Sequence, residues 1–237
     1  MNNKLVYDKI PEGYYDTIFD KKKGIQYNWH FLKFKKVYSL IENLQPKSIL
    51  DVACGPGTFL GNLNYNSHLV GIDIAEKQIQ YANKKYGNKN RIFKLCKNAL
   101  YPYPDESFEL ITAIEFIEHI SEIDFDKNIR EMLRCLKPGG SIILTTPNYY
   151  SLWPILEVLV SKLSNQNYIE QHISHYNKNK LLKKLNNFNF NSVEIKTYLL
   201  FAPFLGIFGN TLPYFFDLIE TKIKLGPGNL LIAKILK

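Results

Sequence analysis

The sequence predicts an α/β fold in which short buried strands alternate with helices around a mostly parallel sheet. Three observations predict it. The segment Ile49-Leu50-Asp51-Val52-Ala53-Cys54-Gly55-Pro56-Gly57-Thr58-Phe59 closes an apolar run on an acid and then breaks into a glycine turn. A buried parallel strand has this form before a turn that lets a ligand touch backbone. A second apolar run, Leu69-Val70-Gly71-Ile72, ends on Asp73, 22 residues after Asp51. Beyond it, strand-like runs keep alternating with helically spaced stretches, the pattern of βαβ units with right-handed crossovers. An acid at the tip of the second strand, about 20 residues past a glycine-rich turn, is placed to hydrogen-bond ribose hydroxyls. The expected ligand is a nucleoside.

The remaining elements follow in order. Arg91-Ile92-Phe93-Lys94-Leu95 reads as a short third strand ending near Asn98-Ala99, and Pro102 to Ser107 is a dense turn stretch. Phe108 to Ile114 is an apolar fourth strand with one acid, Glu109, near its start. Ile129 to Leu136 has helical spacing and stops at Lys137-Pro138-Gly139-Gly140. Ser141 to Thr145 is a fifth strand running into Thr146-Pro147-Asn148, Ser192 to Ile195 a sixth, and Leu230 to Ile235 the last.

The glycine turn narrows the ligand. It is not G-x-G-x-x-G, because Leu60 is bulky and Gly61 falls one place late, which disfavours a dinucleotide pyrophosphate. No Lys-Ser/Thr pair follows, so it is not a P-loop. Asp51 to Gly57 resembles motif I of the class I S-adenosylmethionine-dependent methyltransferases, D-x-x-C/G-G-x-G. The later segments fall in that family's order over residues 47–148.

The resemblance implies a Rossmann-like sheet of seven strands, the last antiparallel, with one or two cap helices in residues 1–45. It implies that Asp51, Gly55 and Gly57 shape the methionine pocket, that Asp73, followed by Ile74, meets the ribose, and that Asn98 and Ala99 meet the adenine. Ile114 matches a position bordering the cofactor. Many relatives carry Asp where this chain has Asn98, so the contact loses its charge and keeps its hydrogen bonds. In the cap, Tyr15 matches an aromatic that closes over the methionine end, and Lys33 or His30 a basic partner for its carboxylate. Tyr15 and Trp29 equally suit plain packing of the cap onto the sheet.

With 237 residues and no Pro/Ser/Gly-rich linker, the chain reads as one domain. Residues 1–45 are the cap, 46–148 the cofactor core and 149–237 the substrate side. Cys54, Cys96 and Cys135 have no zinc-ligand spacing and read as reduced thiols of a cytoplasmic protein. Met1 to Asp8 lack the apolar run of a signal peptide. A net charge of +8 fits nucleic acid or an anionic membrane. Lysines scattered over solvated faces by a Lys-, Asn- and Ile-rich composition fit it better, and runs such as Lys21-Lys22-Lys23 and Lys33-Lys35-Lys36 read as solvated faces rather than phosphate clamps.

Chemistry is expected at the end of the fourth strand, in Glu115-Phe116-Ile117-Glu118-His119. If a helix starts there, Glu115, Glu118 and His119 share one face. The segment resembles E-x-x-E-H of ubiquinone-biosynthesis O-methyltransferases and of small-RNA 2′-O-methyltransferases, where it is associated with a divalent cation. That implies a metal set of Glu115, Glu118, His119 and His172, with His175 close by in sequence, and a cation such as magnesium. The other reading is that Glu115 and His119 act at the substrate or cofactor edge without metal.

Substrate identity is expected in the apolar C-terminal third. Leu152 to Val160 is one apolar stretch, and Leu199 to Phe216 is a second, broken by Pro203, Gly206, Gly209, Pro213 and Asp217. The second is too interrupted for a membrane span. Such a lid suits a lipid-like or aromatic small-molecule acceptor and could rest on a membrane surface; a dimer contact or ordinary core serves as well. The expected activity is O-methylation of a small or lipid-linked molecule. RNA 2′-O-methylation and a non-catalytic cofactor-binding partner subunit are the alternatives.

Overall fold

The computed structural model describes residues 10–163, 168–223 and 226–237. Residues 1–8, read above for a signal sequence, lie outside the described residues. Seven strands form one sheet in the order β3-β2-β1-β4-β5-β7-β6. They are β1 (Ser48–Val52), β2 (His68–Asp73), β3 (Arg91–Leu95), β4 (Phe108–Ile114), β5 (Leu136–Pro147), β6 (Ser192–Tyr198) and β7 (Leu230–Leu236). Only β7 is antiparallel to its neighbours, β5 and β6; the other pairings are parallel.

The helices are α1 (Tyr14–Asp20), α2 (Gly24–Leu44), α3 (Thr58–Asn62), α4 (Glu76–Tyr86) and α5 (Glu122–Cys135), then α6 (Trp153–Leu163), α7 (Tyr168–Gln171), α8 (Lys178–Leu185) and α9 (Thr211–Ile223). One core layer packs Phe125, Ile129 and Met132 of α5 and Leu181 of α8 on the sheet. The other packs Leu32, Val37 and Ile41 of α2 and Ile79 and Ala82 of α4 on its opposite face. Covered on both faces, the central strands are apolar throughout rather than alternating. Strand order reverses between β1 and β4, and beyond the carboxyl ends of the strands at such a point an open α/β sheet binds ligands.

The cap is fastened by one buried acid. Asp16 of α1 accepts hydrogen bonds from the Tyr81 and Tyr86 hydroxyls at 2.7 and 2.6 Å and from Lys85 at 2.5 Å. A second tie runs from the Gly13 N–H to the Gln78 side-chain oxygen at 3.1 Å.

Two local expectations are corrected. Helix α5 stops at Cys135, and Lys137 to Gly140 lie inside β5 rather than before it. Phe108 pairs with Leu136 and Leu110 with Ser141, so the extra residues bulge out of register around Gly139 at φ +73°. No helix starts at Glu115 either. That residue sits in the left-handed region at φ +51°, and only a short 3₁₀ turn, Ile117–His119, follows. A left-handed residue breaks the helical path, so Glu115 does not share a face with Glu118 and His119.

Candidate active site

A cavity of about 480 Å³ opens at the carboxyl ends of β1, β2 and β4, beneath α1 and α2. Asp51, Gly55, Asp73 and Ile74 line it, as do Asn98 and Ala99 and, from the cap and β4, Tyr15, Lys33 and Ile114. Gly57, the remaining residue expected at the cofactor, does not line it. A methyl on Gly57 would lie 2.8 Å from the Phe93 ring and 2.9 Å from Ala82. Its glycine lets α3 pack closely, whereas a methyl on Gly55 would meet nothing within 4 Å.

The two strand-tip acids differ in their partners. Asp51 is buried and accepts the Thr112 hydroxyl at 2.6 Å. Burial pushes its carboxyl up to about 7, the Thr112 bond works against that, and the Asp73 charge adds to it. Asp73 accepts the N–H groups of Gly55 and Ala75, each at 2.8 Å. Burial still raises its carboxyl, against those backbone donors. The second acid therefore holds the glycine turn in shape while facing the cavity. Asn98 uses its side-chain oxygen to accept the Leu100 N–H at 3.2 Å.

Glu115 is committed to the cap. It accepts the Trp29 indole N–H at 2.8 Å and pairs with the Lys33 ammonium, which is fully buried. His30 Nδ1 stands 3.2 Å from the same ammonium. Burial alone would raise the Glu115 carboxyl, yet the charge on Lys33 outweighs it and holds the group at about 2. Burial, with Lys33 beside it, takes His30 down to about 3.

Glu118 points the other way. Glu118, His119 and His172 offer ligand atoms that all lie within 4.8 Å of one another. Glu115 is outside this group, and His175 instead stacks on Tyr149 with ring centroids 4.1 Å apart. Glu118 is fully buried, and neither carboxylate oxygen has a hydrogen-bond partner. The buried Thr146 hydroxyl leans toward it without forming a well-shaped bond. Burial pushes Glu118 up to about 7, against the charge of His172.

Both imidazoles are oriented from behind. His119 Nδ1 meets the Gln171 carbonyl at 3.0 Å, and burial together with the His172 charge lowers its pKa to about 4. His172 Nδ1 bonds the buried Glu157 carboxylate, which also takes the Tyr149 hydroxyl at 2.6 Å. Burial opposes protonation of His172, but Glu157 prevails and raises it. Glu157 escapes sequence reading although a signal is present: it is the one acid in the apolar stretch from Leu152 to Val160. Trp153, from the same stretch, lines the cavity and packs on Trp29 with ring centroids 4.9 Å apart. Thr112, the partner of Asp51, carries no local signal.

Residues 29–195 match the family model described as a methyltransferase domain. The chain belongs to that family. Its sheet and its structural neighbours are those of class I S-adenosylmethionine-dependent methyltransferases. Norajmaline N-methyltransferase of Rauvolfia serpentina is 30% identical over 167 residues, 65% of this chain and 56% of that one. Phosphoethanolamine N-methyltransferase of Plasmodium falciparum is 30% identical over 114 residues, 47% of this chain and 43% of that one. A tRNA (carboxymethyluridine(34)-5-O)-methyltransferase of Arabidopsis thaliana is 30% identical over 58% of this chain and 33% of its own length. The chain thus spans a third to just over half of these curated relatives.

Among solved structures, phosphoethanolamine N-methyltransferase 2 of Haemonchus contortus, bound to S-adenosyl-L-methionine, superposes on 100% of this chain and 60% of its own, with TM-score 0.63 and 18% identity. A Haloferax volcanii methyltransferase in complex with the Trm112 activator matches 99% of this methyltransferase and 97% of itself, at TM-score 0.64 and 15% identity. These two likenesses speak to fold.

Proposed function

We propose that this methyltransferase moves the methyl group of S-adenosylmethionine to an oxygen of a small or lipid-linked acceptor, with the Glu118–His119–His172 cluster taking up the hydroxyl proton. The observation that carries the reading is the buried Glu118 carboxylate, unpartnered beside His119 and His172, two imidazoles that line the cavity. An unpaired buried carboxylate is costly and persists where function uses it. A neutral amine is already nucleophilic, but an alcohol reacts as it loses a proton, and a cluster of proton acceptors serves that need.

The cavity fits the cofactor. Gly55 leaves room for backbone to approach the methionine end, and Asp73 offers its carboxylate to the ribose. Asn98 and Ala99 take the adenine. Lys33 takes the methionine carboxylate, which competes with Glu115 for the ammonium. Glu115 is engaged by the Lys33 ammonium and the Trp29 indole; its part is to order Trp29 and Lys33. His119, at about 4, is neutral at pH 7, and with Nδ1 held by the Gln171 carbonyl its Nε2 is the accepting atom. As the proton passes to His119, the oxygen lone pair forms the C–O bond to the methyl carbon. The C–S bond breaks, its electrons stay on sulfur, and S-adenosylhomocysteine leaves.

The cluster also fits a divalent cation, because an orphaned carboxylate meets two imidazoles whose Nδ1 atoms are engaged from behind. One oxygen and two nitrogen donors suit manganese, iron or zinc better than magnesium, which favours an all-oxygen octahedron. Glu118, His119 and His172 would hold it, and it would lower the pKa of an acceptor hydroxyl.

An amine acceptor is the second reading, favoured by the relatives named as N-methyltransferases. Transfer of radiolabelled methyl to a panel of phenols, alcohols and amines separates the two. O-methylation predicts labelled ethers and a drop on the order of a hundredfold or more in kcat for His119→Ala. Labelled amines alone, with His119→Ala unimpaired, refute it.

A further inference from the structure

Helix α9 is inverted relative to an ordinary surface helix. Its buried positions include Asp217 and Glu220, while Leu212, Tyr214, Phe215 and Phe216 are exposed. Water normally selects the opposite arrangement. Both acids are used in docking the helix. Asp217 accepts the Lys36 ammonium at 2.8 Å. Glu220 accepts the N–H groups of Leu200, Phe201 and Ala202 at 3.0, 2.7 and 2.9 Å. The preceding 3₁₀ segment, Ala202–Phe208, extends the apolar face with Ile207 and Phe208, 66% and 69% exposed.

Cations surround this face. The exposed run Lys21-Lys22-Lys23 adjoins it, tied by the Asn210 amide donating to the Lys22 carbonyl at 2.6 Å. Lys35 sits 3.5 Å from the Tyr214 ring centroid, and Lys222 is exposed on α9 itself. The acids of residues 199–223 are Asp217 and Glu220, both turned inward, and nearby Asp20 is engaged by Lys85 at 2.6 Å. Exposed aromatics and aliphatics rimmed by lysines are the pattern of a surface that lies in the membrane interface. A second copy of the chain fits less well, because apposing two such faces sets lysine against lysine. No helix among the described residues is long and apolar enough to cross a membrane, so the contact is peripheral.

We propose that this face rests on an anionic lipid bilayer. Ile207, Phe208 and Phe215 enter the boundary between headgroups and acyl chains, and Lys21, Lys22, Lys23 and Lys222 meet the lipid phosphates. Phe204, on the same 3₁₀ segment, lines the cavity, so the bound surface lies beside the cavity mouth. The inference does not depend on which atom is methylated.

Co-flotation of the full chain with vesicles tests it. Vesicles of equimolar phosphatidylcholine and phosphatidylglycerol bind the protein, and phosphatidylcholine alone binds it roughly tenfold or more weakly. The double variant Phe208→Ser/Phe215→Ser loses roughly tenfold or more of the binding, while its melting temperature and its calorimetric affinity for S-adenosylmethionine stay at wild-type values. Absence of binding to the anionic vesicles, or equal binding by the variant, overturns the proposal. So does a wild-type dimer in sedimentation velocity that the variant converts to monomer, which would assign the face to a second copy.

Discussion

Gly55 and Gly57 stand two residues apart in one turn, and the structure gives them different tasks that a pair of alanine variants separates. Gly57 sits at φ +77°, and its new Cβ would lie 2.8 Å from two Phe93 ring carbons and 2.9 Å from the Ala82 methyl. A left-handed alanine costs about 1–2 kcal/mol, and forcing a methyl into packed side chains costs about 1–3 kcal/mol more. The smaller entropy of the unfolded alanine chain offsets about 0.4–1 kcal/mol of this loss. Gly57→Ala is therefore expected to lose about 3 kcal/mol, which for a chain of this size lowers Tm by about 6–12 °C. Gly55 sits at φ +52° with open space around its Cβ, so Gly55→Ala loses only the backbone term, about 1–2 kcal/mol. Its methyl instead occupies the edge of the cavity, and S-adenosylmethionine affinity falls by roughly tenfold or more. Scanning fluorimetry gives both Tm values, and calorimetry well below both gives the affinities. If Gly57→Ala melts within about 2 °C of wild type, or if Gly55→Ala is the less stable of the two, the assignment of the two glycines is refuted.

Three further outcomes are expected. Glu115→Gln leaves the Lys33 ammonium buried without its counter-ion and destabilises by about 3 kcal/mol at pH 7 in urea unfolding. Because the Glu115 pKa is depressed to about 2 from 4.5, its stabilisation is complete above pH 4.5. The gap between wild type and variant closes as pH falls toward 2, whereas a gap that widens with acidity contradicts the ion pair. Asp73→Ala removes the acceptor of the Gly55 and Ala75 N–H groups; calorimetry should find S-adenosylmethionine binding reduced by roughly a hundredfold, and unchanged affinity would dismiss the ribose assignment. Manganese or zinc should raise the Tm of chelator-stripped protein more than magnesium does, and Glu118→Gln should abolish the rise. Equal response of the variant would place the ion elsewhere.

How legible each feature was depends on how local its cause is. Strands β1, β2 and β4 were plain because burial on both faces demands apolar runs, and the acids Asp51 and Asp73 end them at the ligand side of the sheet. The Lys137-Pro138-Gly139-Gly140 segment looked like a stop and is a bulge, since only pairing with β4 reveals that the strand has already begun at Leu136. Spacing of three and four put Glu115, Glu118 and His119 on one face, but a single left-handed residue sends Glu115 to Lys33 and Glu118 to His172.

The sequence by itself determined the sheet, the glycine turn and the family, because those follow from short-range patterns of burial and backbone freedom. Tertiary structure alone decided that Gly57 packs against Phe93 and Ala82 and that Glu157 orients His172 from 15 positions away. It also turned the acids of α9 inward and its aromatics outward. Each of these depends on what faces a residue across the fold, and periodicity along one chain cannot say which groups a distant element will bring to meet it.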